Sequence, residues 1–169
     1  MNSTNICLIG FMGTGKSSVA EEISRKYNKA HIELDKIIEQ KAQMRISEMF
    51  ATYGEEYFRD METETLKSLE CSDAVISCGG GIVLRDENMA LLGEKGIVIW
   101  LEAAPATVYE RIKNAVDRPL LKNNMTVEYI EKLLSARIER YSAAAFEHIY
   151  TDAMSIEQVA DYIYEKYMK

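Results

Sequence analysis

Short apolar runs alternate along this chain with longer stretches in which apolar residues recur every three or four positions. The runs fall at residues 5–10 (NICLIG), 30–34 (AHIEL), 74–78 (AVISC), 97–101 (IVIWL) and 148–151 (HIYT). Each has strand length. The first, third and fourth are almost continuously apolar, the pattern of strands covered on both faces of a parallel sheet. Between them, Val19, Ile23 and Tyr27 stand at helical spacing, as do Phe58, Met61, Thr65 and Leu69. Ser155 and Gln158 have the spacing of a capping box, ahead of Val159, Ile163 and Tyr167 on one helix face. Thr126 is placed to cap a helix carrying Tyr129, Ile130, Leu133, Leu134 and Ile138. Pro105 suits the first turn of another helix, and Gly54 separates two helical patterns. Strands and helices in alternation predict a doubly wound α/β sheet with right-handed crossovers. Ligands of such sheets bind beyond the carboxyl ends of the strands.

At 169 residues the chain has the length of one domain and can bury roughly 70% of its unfolded surface. No stretch approaches the roughly 18 apolar residues of a membrane helix. Met1-Asn2-Ser3-Thr4-Asn5 lacks the basic region that opens a signal peptide. A soluble, cytoplasmic protein without a membrane partner is expected. The net charge of -7 argues against nucleic acid as a partner, although a few Lys and Arg can still build a local cleft for a small anion. Cys7, Cys71 and Cys78 form no CxxC pair, so neither structural zinc nor a disulfide framework is expected. Cys7 and Cys78 read as small core residues. His31 and His148 belong to no ligand or triad pattern and read as structural.

Gly10-Phe11-Met12-Gly13-Thr14-Gly15-Lys16-Ser17 fits G-x-x-x-x-G-K-[ST] and stands between a predicted strand and a predicted helix, the setting that a phosphate loop needs. Its glycines let backbone N–H groups turn inward, and the helix that follows adds its positive end. Lys16 then reaches the β- and γ-phosphates and Ser17 ligates Mg²⁺. Gly13, Thr14, Gly15, Lys16, Ser17 and Ser18 are the candidate nucleotide contacts, with ATP as co-substrate and Mg²⁺ as cofactor. Asn28-Lys29 is not followed by the aspartate of a guanine-specific Asn-Lys-x-Asp. The third run passes through Ser77-Cys78 into Gly79-Gly80-Gly81 with no metal-holding acid. Glu33 and Asp35, at the end of the second run, are the acids positioned to take over part of that role. A small chain with a phosphate loop and no spare domain suggests a kinase of small metabolites. Arg59, Arg118 and Arg137 stand out by their local settings, while the triple glycine marks a tight turn or a close approach of ligand to backbone. Residues 113–124 (KNAVDRPLLKNN) read as a mobile polar loop.

Taken in order, the phosphate loop, Asp35, Phe58-Arg59, Gly79-Gly80-Gly81, Arg118-Pro119-Leu120-Leu121 and Arg137 with Tyr141 resemble the motif set of shikimate kinases, over nearly the whole chain. The resemblance implies a three-layer α/β/α P-loop fold of the nucleoside-monophosphate-kinase type with a five-stranded parallel sheet. It is expected as a single domain over 1–169, with a lid at about 113–125 and an acceptor-binding helical region at about 35–62. The implied reaction moves the ATP γ-phosphoryl group to the 3-hydroxyl of shikimate, a step in aromatic amino-acid synthesis, and a monomer is expected. By the same resemblance Asp35 holds the reacting hydroxyl and is the candidate base. Arg59 and Arg137 grip the substrate carboxylate, Gly79, Gly80 and Gly81 line its pocket, and Arg118 reaches the phosphates from the lid. Arg111 matches the arginine that packs against adenine.

These roles suit the chemistry. A bidentate guanidinium fits a planar carboxylate better than an ammonium does, and a closing lid excludes water. Two departures stand out. The family's Asp-x-Asp reads Glu33-Leu34-Asp35, which moves the candidate metal-binding carboxylate of Glu33 by one methylene. Its Arg-x-Pro-Leu-Tyr reads Arg137-Ile138-Glu139-Arg140-Tyr141, which leaves Arg140 as an alternative to Arg137 at the carboxylate. Two rival readings stay open: a gluconate- or nucleoside-type kinase, which needs no carboxylate clamp, and a nucleotide-binding module without turnover, which has no need of Lys16, Ser17 and Asp35 together.

Overall fold

A computed structural model describes residues 4–113 and 126–169. Arg118 and the expected lid beyond Lys113 lie outside the described residues. Strands β1 (Ile6–Ile9), β2 (Ala30–Glu33), β3 (Ala74–Ser77), β4 (Ile97–Glu102) and β5 (Glu147–Tyr150) pair in parallel in the spatial order β2-β3-β1-β4-β5. The three almost continuously apolar runs are therefore the three central strands. The edge strands β2 and β5 carry the polar positions His31, Glu33, Glu147 and His148.

Strand side chains alternate between two layers. Cys7, Ile9, Ile76, Val98 and Trp100 face one core, while Ile6, Leu8, Val75, Ile99 and Leu101 face the other. The register keeps this sorting: Cys7 lies beside Ile76 and Val98, and Leu8 beside Ile99. Helices α1 (Lys16–Tyr27) and α9 (Ile156–Ile163) cover the second core through Val19, Ala20, Ile23, Val159, Ala160 and Ile163. The first core is covered by α2 (Leu34–Ala42), α3 (Ile46–Tyr53), α4 (Glu55–Ser68), α5 (Asp86–Lys95), α6 (Pro105–Ile112), α7 (Val127–Ser135) and α8 (Ile138–Ala144). The result is a three-layer α/β/α fold.

Local signals hold at several element ends. Gly54, at φ 84, closes α3 and opens α4. Pro105 is the first residue of α6. The Ser155 hydroxyl accepts from the Gln158 amide at 3.1 Å, and the Gln158 side chain accepts from the Ser155 amide at 2.8 Å. Thr126 caps α7 through the Tyr129 amide at 3.2 Å. Elsewhere the structure departs from the pattern. Leu69 falls just beyond α4, and Tyr167 lies in a π-helical turn, Tyr164–Met168, that continues α9. Strand β2 ends at Glu33, so Asp35 sits in the first turn of α2 instead of following the strand directly.

The largest departure concerns the helix expected from Thr126 through Ile138, which breaks at Ala136-Arg137. The Arg137 amide turns back to the Leu134 carbonyl at 2.9 Å, three residues away, and Ile138 starts α8. Neither proline nor glycine marks the break. Its cause is tertiary, because Arg137 is drawn under the sheet's carboxyl end.

All three cysteines are free. Burial pushes the Cys7 thiol up to about 12 and raises Cys78 as well, so both stay protonated and act as apolar fill. His148 stacks on Trp100 with centroids 3.9 Å apart, and His31 Nε2 lies 2.9 Å from Glu33 Oε1. Among the described residues no helix is long and apolar enough to cross a membrane.

At the amino end of the sheet Asn5 joins three segments. Its Nδ2 donates to the carbonyls of Cys71 at 3.0 Å and Lys95 at 2.9 Å, and its Oδ1 accepts from the Ala74 amide at 3.1 Å. Asn5→Ala leaves those groups without their partner in a half-buried place. We expect it to lower the unfolding free energy by about 1–3 kcal/mol in urea titration, without altering the chemistry at the far end of the strands.

Candidate active site

Residues 10–15 run from the carboxyl end of β1 into α1. Gly15, at φ 99 and ψ 11, takes the left-handed turn that starts α1 and offers no side chain to cap it. The first turn of α1 carries no acid. By contrast α2 has Asp35 there, α3 has Glu48, α4 has Glu55 and Glu56, and α5 has Asp86 and Glu87. The amide groups at the start of α1 are thus left to an anion, with Lys16 beside them. Lys16 is buried, and its Nζ donates to the carbonyls of Gly10 at 2.8 Å and Phe11 at 2.9 Å. Thr14 Oγ1 donates to the Phe11 carbonyl at 2.8 Å, which closes the loop on itself. Ser17 Oγ lies 3.2 Å from Ser77 Oγ at the end of β3. Sequence reasoning did not select Ser77, since a strand-terminal serine carries no signal of its own.

Two hollows flank this loop and share Gly13, Gly15 and Ser18. One, of about 250 Å³, brings Lys16 and Ser17 together with Glu33, Asp35, Gly79 and Gly80. The other, of about 410 Å³, is bounded by Thr14, Arg111, Ile112, Thr151, Met154 and Ile156. Arg111 is fixed at its mouth by a 3.0 Å hydrogen bond from Nη1 to the Gly13 carbonyl.

The triple glycine follows β3, and two buried guanidinium groups meet it. Arg59, on α4, is only 6% exposed. A methyl group on Gly81 would stand 2.4 to 2.6 Å from the Arg59 guanidinium, so the glycine is what admits it. Arg59 donates to Glu55 Oε1 from Nε at 3.3 Å and from Nη2 at 3.1 Å, and to Glu62 Oε2 from Nη1 at 2.9 Å. Arg137 enters from the break between α7 and α8. Its Nη1 donates to the Gly80 carbonyl at 3.3 Å, its Cζ lies 5.6 Å from the centre of the Phe11 ring, and Tyr141 Oη donates to the same carbonyl. Arg140 turns away, donating to the Val83 carbonyl and to Asp86 Oδ1, each at 2.5 Å. The inward arginine of the pair is Arg137.

One buried acid beside this pair went unnoticed in the sequence. Glu62 is fully buried, and its Oε1 has no hydrogen-bond partner among the described residues. A methyl group on Gly79 would lie 3.0 Å from Glu62 Oε1 and 3.0 Å from Asp35 Oδ1, so the two carboxylates converge there. Burial pushes the Glu62 carboxyl up to about 7; Arg59 opposes the rise and Asp35 adds to it. In sequence, Glu62 reads as an ordinary acid of a solvated helix face, three positions after Arg59. Only its burial marks it.

A sequence model described as shikimate kinase matches residues 12–168. The chain is 42% identical to the shikimate kinase of Thermodesulfovibrio yellowstonii, over 96% of this chain and 94% of that one. It is 40% identical to the shikimate kinase of Geobacter sulfurreducens, over 92% and 86% respectively. Among solved structures, a shikimate kinase from Acinetobacter baumannii in complex with shikimate superposes with a TM-score of 0.91 at 29% identity, covering 96% of this chain and 92% of that one. The shikimate kinase from Aquifex aeolicus does so with a TM-score of 0.78 at 32% identity, covering 94% and 93%. By family match, by near full-length identity and by fold, this chain belongs to the shikimate kinase family.

Proposed function

We propose that this protein transfers the γ-phosphoryl group of ATP to the 3-hydroxyl of shikimate. The observation that carries the reading is the pair of buried guanidinium groups, Arg59 and Arg137, against one triple glycine that also borders the phosphate-loop cleft. Two buried forks beside that cleft are suited to a planar carboxylate, which shikimate has and a neutral sugar lacks. Asp35 lines the same cleft as Lys16, and there it holds the acceptor hydroxyl and receives its proton. Phosphoryl transfer then rests on alignment and charge stabilisation, which Lys16 and the amides at the start of α1 supply at the phosphates. The larger hollow takes the nucleotide base, with Arg111 against its face. Arg118 keeps its role at the phosphates on the strength of its motif alone.

Magnesium fits the donor set. The Ser17 hydroxyl and the Glu33 carboxylate are oxygen donors in the cleft that also holds Lys16. Bound by Ser17 and Glu33, the ion would neutralise charge on the phosphate oxygens. The reading also includes the cytoplasm, for which free, buried thiols are suited. It includes no nucleic-acid partner, in keeping with the net charge of -7.

A coupled assay with ATP, Mg²⁺ and a panel of alcohols tests the whole reading: turnover is expected with shikimate, and turnover confined to gluconate or a nucleoside would overturn it. Asp35→Asn should lower kcat by roughly 10²- to 10⁴-fold while the Kd for ATP stays within about twofold. Gly81→Ala should push Arg59 aside and raise the KM for shikimate by about tenfold or more. Because a flexible side chain absorbs that clash, its unfolding free energy should change by less than about 1 kcal/mol.

A further inference from the structure

The acid at position 33 is one methylene longer than the aspartate it replaces, and so has one more bond to rotate about. Its neighbours on β2 show what restrains it. Glu33 ends β2 and stands at the N-cap of α2, yet its side chain makes no capping hydrogen bond there. Its Oε1 lies instead 2.9 Å from Nε2 of His31, two residues back on the same face of the strand. The carboxylate is the acceptor in this pair, so Nε2 carries the hydrogen and donates it. Both side chains are largely shielded from solvent, at 20% and 15% exposure.

We propose that His31 is a positioning residue for magnesium binding: it holds Glu33 Oε1, so that the longer acid presents its other oxygen to the phosphate-loop cleft. His31 acts through Glu33 and is not itself a ligand. This rests on the reading of Ser17 and Glu33 as the magnesium-holding groups given above.

The register of the sheet supports it. Glu33 lies beside Ser77 of β3, and Ser77 lies beside Leu8 of β1. Ser77 Oγ is 3.2 Å from Ser17 Oγ in the first turn of α1. Glu33, Ser77 and Ser17 thus form a row across the carboxyl end of the sheet, and all three line the cleft that holds Lys16 and Asp35. His31 stands one pair further down, beside Val75, whose side chain belongs to the core under α1. Alternation along the strand puts His31 and Glu33 on that same face, while Ile32 between them packs against the opposite core. Because β2 is an edge strand, no further strand can brace a glutamate at its end. The histidine supplies the brace from within the strand. Magnesium accepts little distortion of its octahedron, so a carboxylate already held in one rotamer binds it better than one that must be ordered on binding.

The test is calorimetry of the intact protein with the β,γ-imido analogue of ATP, with and without Mg²⁺. The ratio of the two Kd values is the gain that the ion brings, and a merely structural role for His31 would not move it. His31→Phe keeps a ring on the strand and removes the donor; it should cut the gain about tenfold while the metal-free Kd stays within about twofold. His31→Gln, whose amide donates from a similar place, should restore most of the gain. Added to Glu33→Asp, His31→Phe should have no further effect, since the shorter carboxylate does not lean on the histidine. A gain unchanged in His31→Phe, one reduced equally with and without Glu33→Asp, or a loss that His31→Gln fails to restore would each overturn the inference. Nitrogen-15 spectra of the unaltered protein decide the matter whether or not the variants fold. They should show hydrogen on Nε2 of His31 both before and after Mg²⁺ and the analogue are added, and an Nε2 without hydrogen would sink the proposal. Glu33→Gln separates this inference from the reading beneath it. If that variant keeps the full gain, Glu33 is not a magnesium-holding group and both fall; if it loses the gain while His31→Phe does not, this inference alone falls.

Discussion

A guanidinium group taken out of water must be surrounded by acceptors, and this protein meets that demand twice within one short stretch of backbone. Arg59 is held by Glu55 and Glu62, while Arg137 is held by the Gly80 carbonyl and the face of Phe11. The first arrangement depends on Gly81, where a methyl group would collide with the Arg59 guanidinium as it stands. The triple glycine is thus less a flexible joint than a surface made flat enough for cations to lie on. The rest of the cleft follows from it. Acids must come close to keep the cations, yet they must not quench them, and the shared carboxylates Asp35 and Glu62 express that tension.

The phosphate loop solves the complementary problem with almost no side chains. Its helix begins on a glycine, has no capping oxygen and has no acid in its first turn, whereas α2, α3, α4 and α5 all have one. A bare helix start next to Lys16 favours one kind of guest, a multiply charged anion. The sheet places this start beside the triple glycine because β1 and β3 are neighbours in register, with Cys7 beside Ile76 and Leu8 beside Ser77. The phosphate loop and the triple glycine therefore emerge side by side from adjacent strands, an arrangement suited to phosphoryl transfer between two ligands. The Ser17–Ser77 contact ties the two loops together at their base.

The glycines, the arginines and the buried acid form one packed unit: the bare backbone of Gly81 leaves room for Arg59, and Glu55 and Glu62 hold its guanidinium in place.

Patterns of short range could be read directly from the residues. The phosphate loop, the capping box at Ser155, the start of α6 at Pro105 and the turn at Gly54 depend on neighbours a few positions apart, and the structure repeats them. The central place of β1, β3 and β4 was also visible, because strands covered on both faces have little room for polar residues. What needed the folded chain was every feature that depends on residues distant in sequence. The break before α8 has no local cause and arises because Arg137 is drawn to Gly80, 57 residues away. The sequence favours Arg137 and leaves Arg140 as an alternative; packing turns Arg137 inward and Arg140 away. Glu62 looks like any helix-surface acid until α2 and the glycine turn close over it. Hydrogen-bonding and charge preferences of single residues are inscribed in the sequence, but desolvation is a property of the assembled neighbourhood, and it is desolvation that gives these groups their chemistry.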